Sequence, residues 1–223
     1  MAFPTDWVVN RENSSPITLV NIDNVSPIVG VGSLHTTIDD ASAITERLTI
    51  QNNTYSNGLL AGRIRSVIEI ENLSTDDVGY IGFSCMQNSL TAFNTNDAGY
   101  ALVLSTGVSP QAVSLIKYNN TIINSPLILD TDLDSVGVSF STPFVFQLDW
   151  VSDFALLGGT LLRGYIGTAT TDFNDLVQVV EFTDVSSPIL ASTTESLLQV
   201  VFNTSIATNF EVRWDDTSIF QLT

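Results

Sequence analysis

Residues 59 to 71 read LLAGRIRSVIEIE, and the reading of this stretch decides the fold. Leu60, Ile64, Ile68 and Ile70 fall on even positions, and Arg63, Arg65, Glu69 and Glu71 on odd ones. Successive side chains of an extended chain point to opposite faces, so the alternation predicts a strand with one oily face and one wet face. FVFQLDWV, residues 144 to 151, repeats the arithmetic. Phe144, Phe146, Leu148 and Trp150 oppose Val145, Gln147, Asp149 and Val151. In NFEVRW, residues 209 to 214, Phe210, Val212 and Trp214 alternate with Glu211 and Arg213.

Further runs rich in β-branched and aromatic residues occupy 17–22, 44–50, 78–86, 99–105, 112–118, 160–167, 176–182, 196–202 and 218–222. Turn signals separate many of them, among them Asn57-Gly58, Thr75-Asp76-Asp77, Gly158-Gly159 and Asp215-Asp216. About a dozen short strands with no helical stripe predict an all-β, antiparallel sandwich or barrel. We expect one domain over 17–223, preceded by an N-terminal arm over 1–16 that holds two prolines and the polar run NRENSS.

Composition narrows the function. Of 223 residues 44% are hydrophobic, enough for a large core, while only 14% are charged against roughly 25% in an average soluble protein. That charge is one-sided: 24 Asp and Glu against 7 Lys and Arg, a formal net charge of −17. Phosphate backbones and anionic lipid surfaces repel such a chain, which argues against nucleic acid and membrane as partners. Cys85 is the single cysteine, precludes an internal disulfide, and reads as a small buried hydrophobe. MAFPTDWVVNREN lacks a basic segment followed by an apolar one, so no secretory signal is expected. Six Asn-x-Ser/Thr sequons then reflect composition rather than glycosylation.

The run from Ile64 to Leu127 resembles the middle of concanavalin A-like jelly rolls of the laminin-G, lectin and glucanase kind. The likeness rests on strands at Gly79 to Phe83, Gly99 to Leu104 and Leu115 to Asn119, followed by FQLDWV and LLRGYIG. The closing VRWDDTSIF looks like the last strand pair of these families. The resemblance covers roughly residues 60 to 223 and implies a concanavalin A-like sandwich. The opening MAFPT is similar to the starts of some phage virion proteins.

Chemistry is sparse. Retaining glucanases of this fold need a nucleophile and an acid about 5 to 5.5 Å apart, drawn from a Glu-x-Asp-x-(x)-Glu strand. Here Glu69 and Glu71 are followed by Asn72, Leu73 and Ser74, so the third carboxylate is missing and both glutamates read as solvent-facing. His35 is the only histidine, and no G-x-S-x-G elbow, zinc ligand set or Walker glycine loop occurs. No catalytic or cofactor-binding residue is therefore assigned. Asp130, Asp132 and Asp134 in DTDLD are candidate calcium ligands in an expected loop, although Ser135 and Ser141 stand where an EF-hand requires Gly and Glu. For sugar binding, Gln147, Asp149, Arg163 and Tyr165 would form a patch if their strands share a sheet.

The leading expectation is a non-enzymatic structural protein on a virion surface, made in the host cytoplasm. In this reading it is a capsid decoration (cement) protein of a tailed phage, clasping the major capsid protein, or less readily tail proteins, through residues 1–16 as a homo-oligomer of three-fold character. The alternative is a glycan-binding adhesin or fibre-associated module that attaches to host polysaccharide. A glycoside hydrolase comes third.

Overall fold

A computed structural model describes residues 7–12, 18–23, 33–39, 45–52, 59–71, 77–86, 98–106, 112–119, 127–132, 142–153, 158–189, 197–204 and 209–222. Among these residues there is no helix, and hence none long and apolar enough to cross a membrane. In chain order the strands are β1 (Trp7–Glu12), β2 (Thr18–Asp23), β3 (Ser33–Asp39), β4 (Thr45–Asn52), β5 (Ala61–Glu71), β6 (Asp77–Cys85) and β7 (Ala98–Thr106). They continue with β8 (Ala112–Asn119), β9 (Leu127–Asp132), β10 (Phe144–Asp153), β11 (Gly159–Thr168), β12 (Val177–Asp184), β13 (Leu197–Thr204) and β14 (Asn209–Gln221). One sheet runs β1-β4-β13-β6-β7-β8-β9 and the other β12-β11-β10-β5-β14-β3-β2. Every pairing is antiparallel. The all-β sandwich expected from period-two alternation is the observed fold.

Three strands lie outside the predicted runs. β1 falls inside the expected arm, yet it pairs with β4 from Trp7↔Asn52 to Glu12↔Arg47 as an edge of the first sheet. SLHTTID of β3 is too polar to stand out, and it is held by β14 and β2. LILDTD, β9, turns the expected DTDLD loop into a strand as far as Asp132.

A fourth difference concerns β14. Asp215-Asp216 is not a turn between two strands but a bulge inside one, where the register on β5 shifts between Asp215 and Ser218. Asp216 takes a left-handed backbone, with φ of 47°. The inward-pointing Ser66 of β5 secures the bulge, donating to the Asp215 carbonyl at 2.8 Å and meeting Thr217 Oγ1 at 2.8 Å. One extra residue inverts the phase of the strand. Val212 and Trp214 point inward before it, Ile219 packs on the core after it, and Phe220 is left outside.

The core lies between the sheets. Ile64, Ile68 and Ile70 of β5 are buried there with Phe144, Phe146, Leu148 and Trp150 of β10, as the alternation predicts. Phe83 of β6 crosses the gap to Phe146 and Trp214, with ring centroids 5.6 and 5.8 Å apart. Each such buried side chain contributes about 1.5–3 kcal/mol by removal from water. Gly62 interrupts the apolar face because Trp150 needs the room: a Cβ there would stand 2.3 Å from the indole. The indole N–H then donates to the Leu59 carbonyl at 2.8 Å. Cys85 is buried and free, its thiol pushed well up by burial, in keeping with a packing role.

A polar cluster ties the sheets at one end. Asp184 at the end of β12 accepts from Tyr100 Oη of β7 at 2.7 Å and from Lys117 Nζ of β8, and all three side chains are buried. Burial opposes ionisation of Asp184, but hydrogen bonds from Lys117, Tyr100 and the Ser187 N–H outweigh it and hold the carboxyl below its usual value. The stabilisation from this carboxylate is therefore present above the unfolded value, about 3.9, and is lost as pH falls through the lower folded value. Asp184→Ala strands a buried ammonium and is expected to cost about 3–5 kcal/mol in urea unfolding at neutral pH. The gap between wild type and Asp184→Asn should shrink as the medium is acidified; a gap independent of pH would show that the carboxylate charge is not what holds the cluster.

Candidate functional site

The second sheet turns its other face away from the core, and its registers align side chains in rows across the strands. One row runs Glu181, Arg163, Asp149, Arg63, Phe220 over β12, β11, β10, β5 and β14. The next runs Gln178, Tyr165, Gln147, Arg65, Ser218 over the same strands. Pairing of β10 with β11 thus brings together all four residues of the patch expected from the sequence. The structure adds Arg63, Arg65, Glu181 and Phe220, which the sequence marked only as outward-facing or not at all.

Charges alternate along the first row. Arg163 Nε donates to Glu181 at 2.6 Å, and Arg63 grips Asp149 with both Nε, at 2.7 Å, and Nη2, at 2.6 Å. This two-pronged hydrogen bonding raises the Arg63 guanidinium above its ordinary value, and Glu181 does the same for Arg163. Asp149 is nearly buried, whereas both partners of the Arg163–Glu181 pair are well exposed. Burial, helped by the Asp149 charge, pushes the Tyr165 phenol up, so it keeps its proton at neutral pH and can donate it.

The second row carries two unusual groups. Gln147 is 2% exposed, and its amide N–H donates to Asp149 at 3.0 Å. A carboxylate only accepts, so this bond fixes which end of the amide is which. The Oε1 is left buried, with no hydrogen-bond partner among the described residues. Beside it Arg65 donates Nε to Ser218 Oγ at 3.1 Å and lies over the Phe173 ring at 3.5 Å, with Phe220 at 4.8 Å. Burial lowers the Arg65 value and the Arg63 charge adds to this, while Asp216 opposes both.

Phe173 belongs to the β11–β12 connection, which folds back over the sheet. Thr171 and Leu176 lie against Gly167, where a Cβ would stand 2.6 Å from Leu176 and 3.0 Å from Thr171. Asp172 fastens the turn by accepting from the Asn174 N–H at 2.9 Å. The segment carries Phe173 across β10 to Arg65 on β5, walling one side of the patch. Val67 and Val145, on the outward face by parity, are only 2% and 1% exposed.

No protein-family model matches this sequence, and no curated protein matches it either. Solved structures do match. A legume lectin-like domain from Entamoeba histolytica aligns over 98% of this chain and 91% of its own, with TM-score 0.59 and 10% identity. An endo-β-1,4-glucuronan lyase from the fungus Trichoderma reesei aligns over 98% and 92%, with TM-score 0.63 and 11% identity. The VIP36 exoplasmic/lumenal domain, solved with Ca2+ and Man3GlcNAc, aligns over 98% and 84%, with TM-score 0.56 and 11% identity. The fold is a concanavalin A-like jelly roll.

Within this jelly roll the other sequence candidates are placed differently. Asp130 and Asp132 stand on β9 instead of a loop, and Asp134 lies outside the described residues. Asp130 spends its carboxylate on protein N–H groups, accepting from Glu181 N at 2.9 Å and from its neighbour Thr131 N at 2.9 Å. It thereby stitches the edge of one sheet to the edge of the other. Among the described residues no group of three or more His, Cys, Asp or Glu could hold a metal ion. Glu69 and Glu71 do face outward, but they are half-buried ion partners of Arg213, at 3.3 and 3.0 Å, and not free carboxylates in water. His35 sits on β3 opposite Arg213 and Asn21.

The unequal exposure of the two ion pairs in the first row yields a measurable contrast. In double-mutant cycles the Arg63–Asp149 coupling should reach about 1 kcal/mol, and the exposed Arg163–Glu181 coupling about 0.5 kcal/mol or less. Equal couplings would mean that the burial of Asp149 does not strengthen its pair.

Proposed function

We propose that the protein is a non-enzymatic glycan-binding module, and that polysaccharide lies on the outward face of β11, β10 and β5. The observation that carries this reading is Gln147 Oε1, a buried acceptor without a donor. It lies in a row flanked by the Tyr165 phenol and the Arg65 guanidinium. Leaving such an atom unsatisfied costs about 1–3 kcal/mol, a cost that a sugar hydroxyl would remove. Phe173 and Phe220 add apolar surface of the kind on which a pyranose ring rests.

Neighbouring structures support the same direction, since one is a lectin-like domain and another was solved with a mannose-containing glycan. They lend no support to a capsid or tail role, so the virion expectation gives way here to its alternative. The lyase neighbour raises catalysis as a question. Proton abstraction needs a base, yet the upward-shifted Tyr165 holds its proton and Asp149 is committed to Arg63 and Gln147. That chemistry suits binding better than turnover.

Calorimetric titration with a panel of purified oligosaccharides tests the proposal. At least one glycan should bind, and Tyr165→Ala and Gln147→Ala should each weaken it about tenfold or more while far-UV circular dichroism stays unchanged. No ligand in the panel, or binding indifferent to both substitutions, would remove the site. Incubation with polyuronates should release no conjugated double bond detectable by ultraviolet absorbance, and its appearance would make the protein a lyase.

A further inference from the structure

Four of the seven basic residues of this acidic chain, Arg63, Arg65, Arg163 and Arg213, share the outward face of the second sheet. Three are matched by carboxylates: Arg63 by Asp149, Arg163 by Glu181, and Arg213 by Glu69 and Glu71. Arg65 differs from them. Among the described residues it has no ion pair, its Nε is satisfied by an uncharged serine hydroxyl, and its guanidinium carbon sits over the Phe173 ring, 3.5 Å from the centroid. A guanidinium so stacked is preorganised, with its terminal N–H fork available for a planar, two-oxygen acceptor. Directly across the strand pair lies Gln147, the buried acceptor that lacks a donor.

We infer that Arg65 and Gln147 form a subsite for an acidic sugar, Arg65 taking the carboxylate and Gln147 Oε1 accepting from a hydroxyl of the same or the adjoining residue. The inference rests on the glycan-binding reading and narrows it to a ligand class. Two complementary needs meet in adjacent residues: a cation that no carboxylate contacts, Asp216 acting on it only from a distance, and an acceptor without a donor. A neutral sugar satisfies only the second. A simple anion without a hydroxyl, such as sulfate, satisfies only the first, whereas a carboxylated sugar satisfies both. Phe173 serves twice, packing against the guanidinium and shielding it from water, which strengthens its attraction for a carboxylate.

The chemistry is common to uronic acids within a polysaccharide and to terminal sialic acid, and the test separates them. The full chain is titrated calorimetrically with oligogalacturonate, with sialyllactose and with a neutral cello-oligosaccharide. One acidic ligand should bind at least about tenfold tighter than the neutral one, with affinity falling as sodium chloride is raised. Arg65→Met should abolish that preference and its salt dependence while leaving weak neutral binding in place. Arg65→Lys should restore only part of it, having charge but no fork. Because Arg65→Met also frees Phe173, a Phe173→Leu variant reports the cost of disturbing the loop alone: it should keep the acidic preference in reduced form. Equal binding of acidic and neutral ligands would overturn this inference and leave glycan binding standing. Binding of none of the three, together with silence across the wider panel, would take down both.

Discussion

The structure depends on β5 being hydrogen-bonded on both sides, to β10 and to β14, in the middle of its sheet. A strand so placed cannot slip by one residue without sending Ile64, Ile68 and Ile70 to the outside and four charged side chains into the core. Two local devices lock the register further. Gly62 leaves the space that the Trp150 indole fills, and Ser66 satisfies the backbone where β14 bulges. The outward rows inherit their alignment from this inward constraint. Arg63 meets Asp149, and Arg65 meets Gln147, because the isoleucines beneath them have only one way to pack.

That dependence explains what could be read in advance. Period-two alternation is a local property written in each strand, so the core faces of β5, β10 and β14, the burial of Trp150 and Trp214, and the sandwich architecture were all legible. The patch of Gln147, Asp149, Arg163 and Tyr165 was legible up to one condition, that β10 and β11 pair, and they do. β1, β3 and β9 were missed for a physical reason. Edge and near-edge strands need less apolar surface, and pairing partners distant in sequence decide their state. Asp215-Asp216 reads as a turn because the same residue types tolerate a left-handed backbone in a turn and in a bulge. The shift of apolar parity from Val212 and Trp214 to Ile219 was the available sign that the strand continues.

Phe173 marks a different limit. It sits in a connection with no periodicity, and its importance comes from crossing β10 to reach a side chain more than a hundred positions away in the chain. No spacing rule could bring Phe173 to Arg65. The same holds for Asp130, whose partner is a backbone N–H on the other sheet. Acidic residues at alternate positions resemble a metal loop as long as their carboxylates have nothing else to do, and here tertiary structure gives at least one of them a job.

A net charge of −17 opposes the approach of an anionic ligand, and the resolution lies in distance. At physiological ionic strength exposed charges are screened beyond about 8 Å, so the many carboxylates elsewhere on the chain act on an approaching polyanion chiefly through its rate of encounter. Affinity, once contact is made, is set by groups within a few ångströms. There Asp149, Glu181, Glu69 and Glu71 are each spent on an arginine, and Arg65, which has no ion pair among the described residues, lies beside the unsatisfied amide. Global and local charge thus act on different steps. The sheet separates them by gathering four of the chain's few cations onto one face, in register, and pairing all but one.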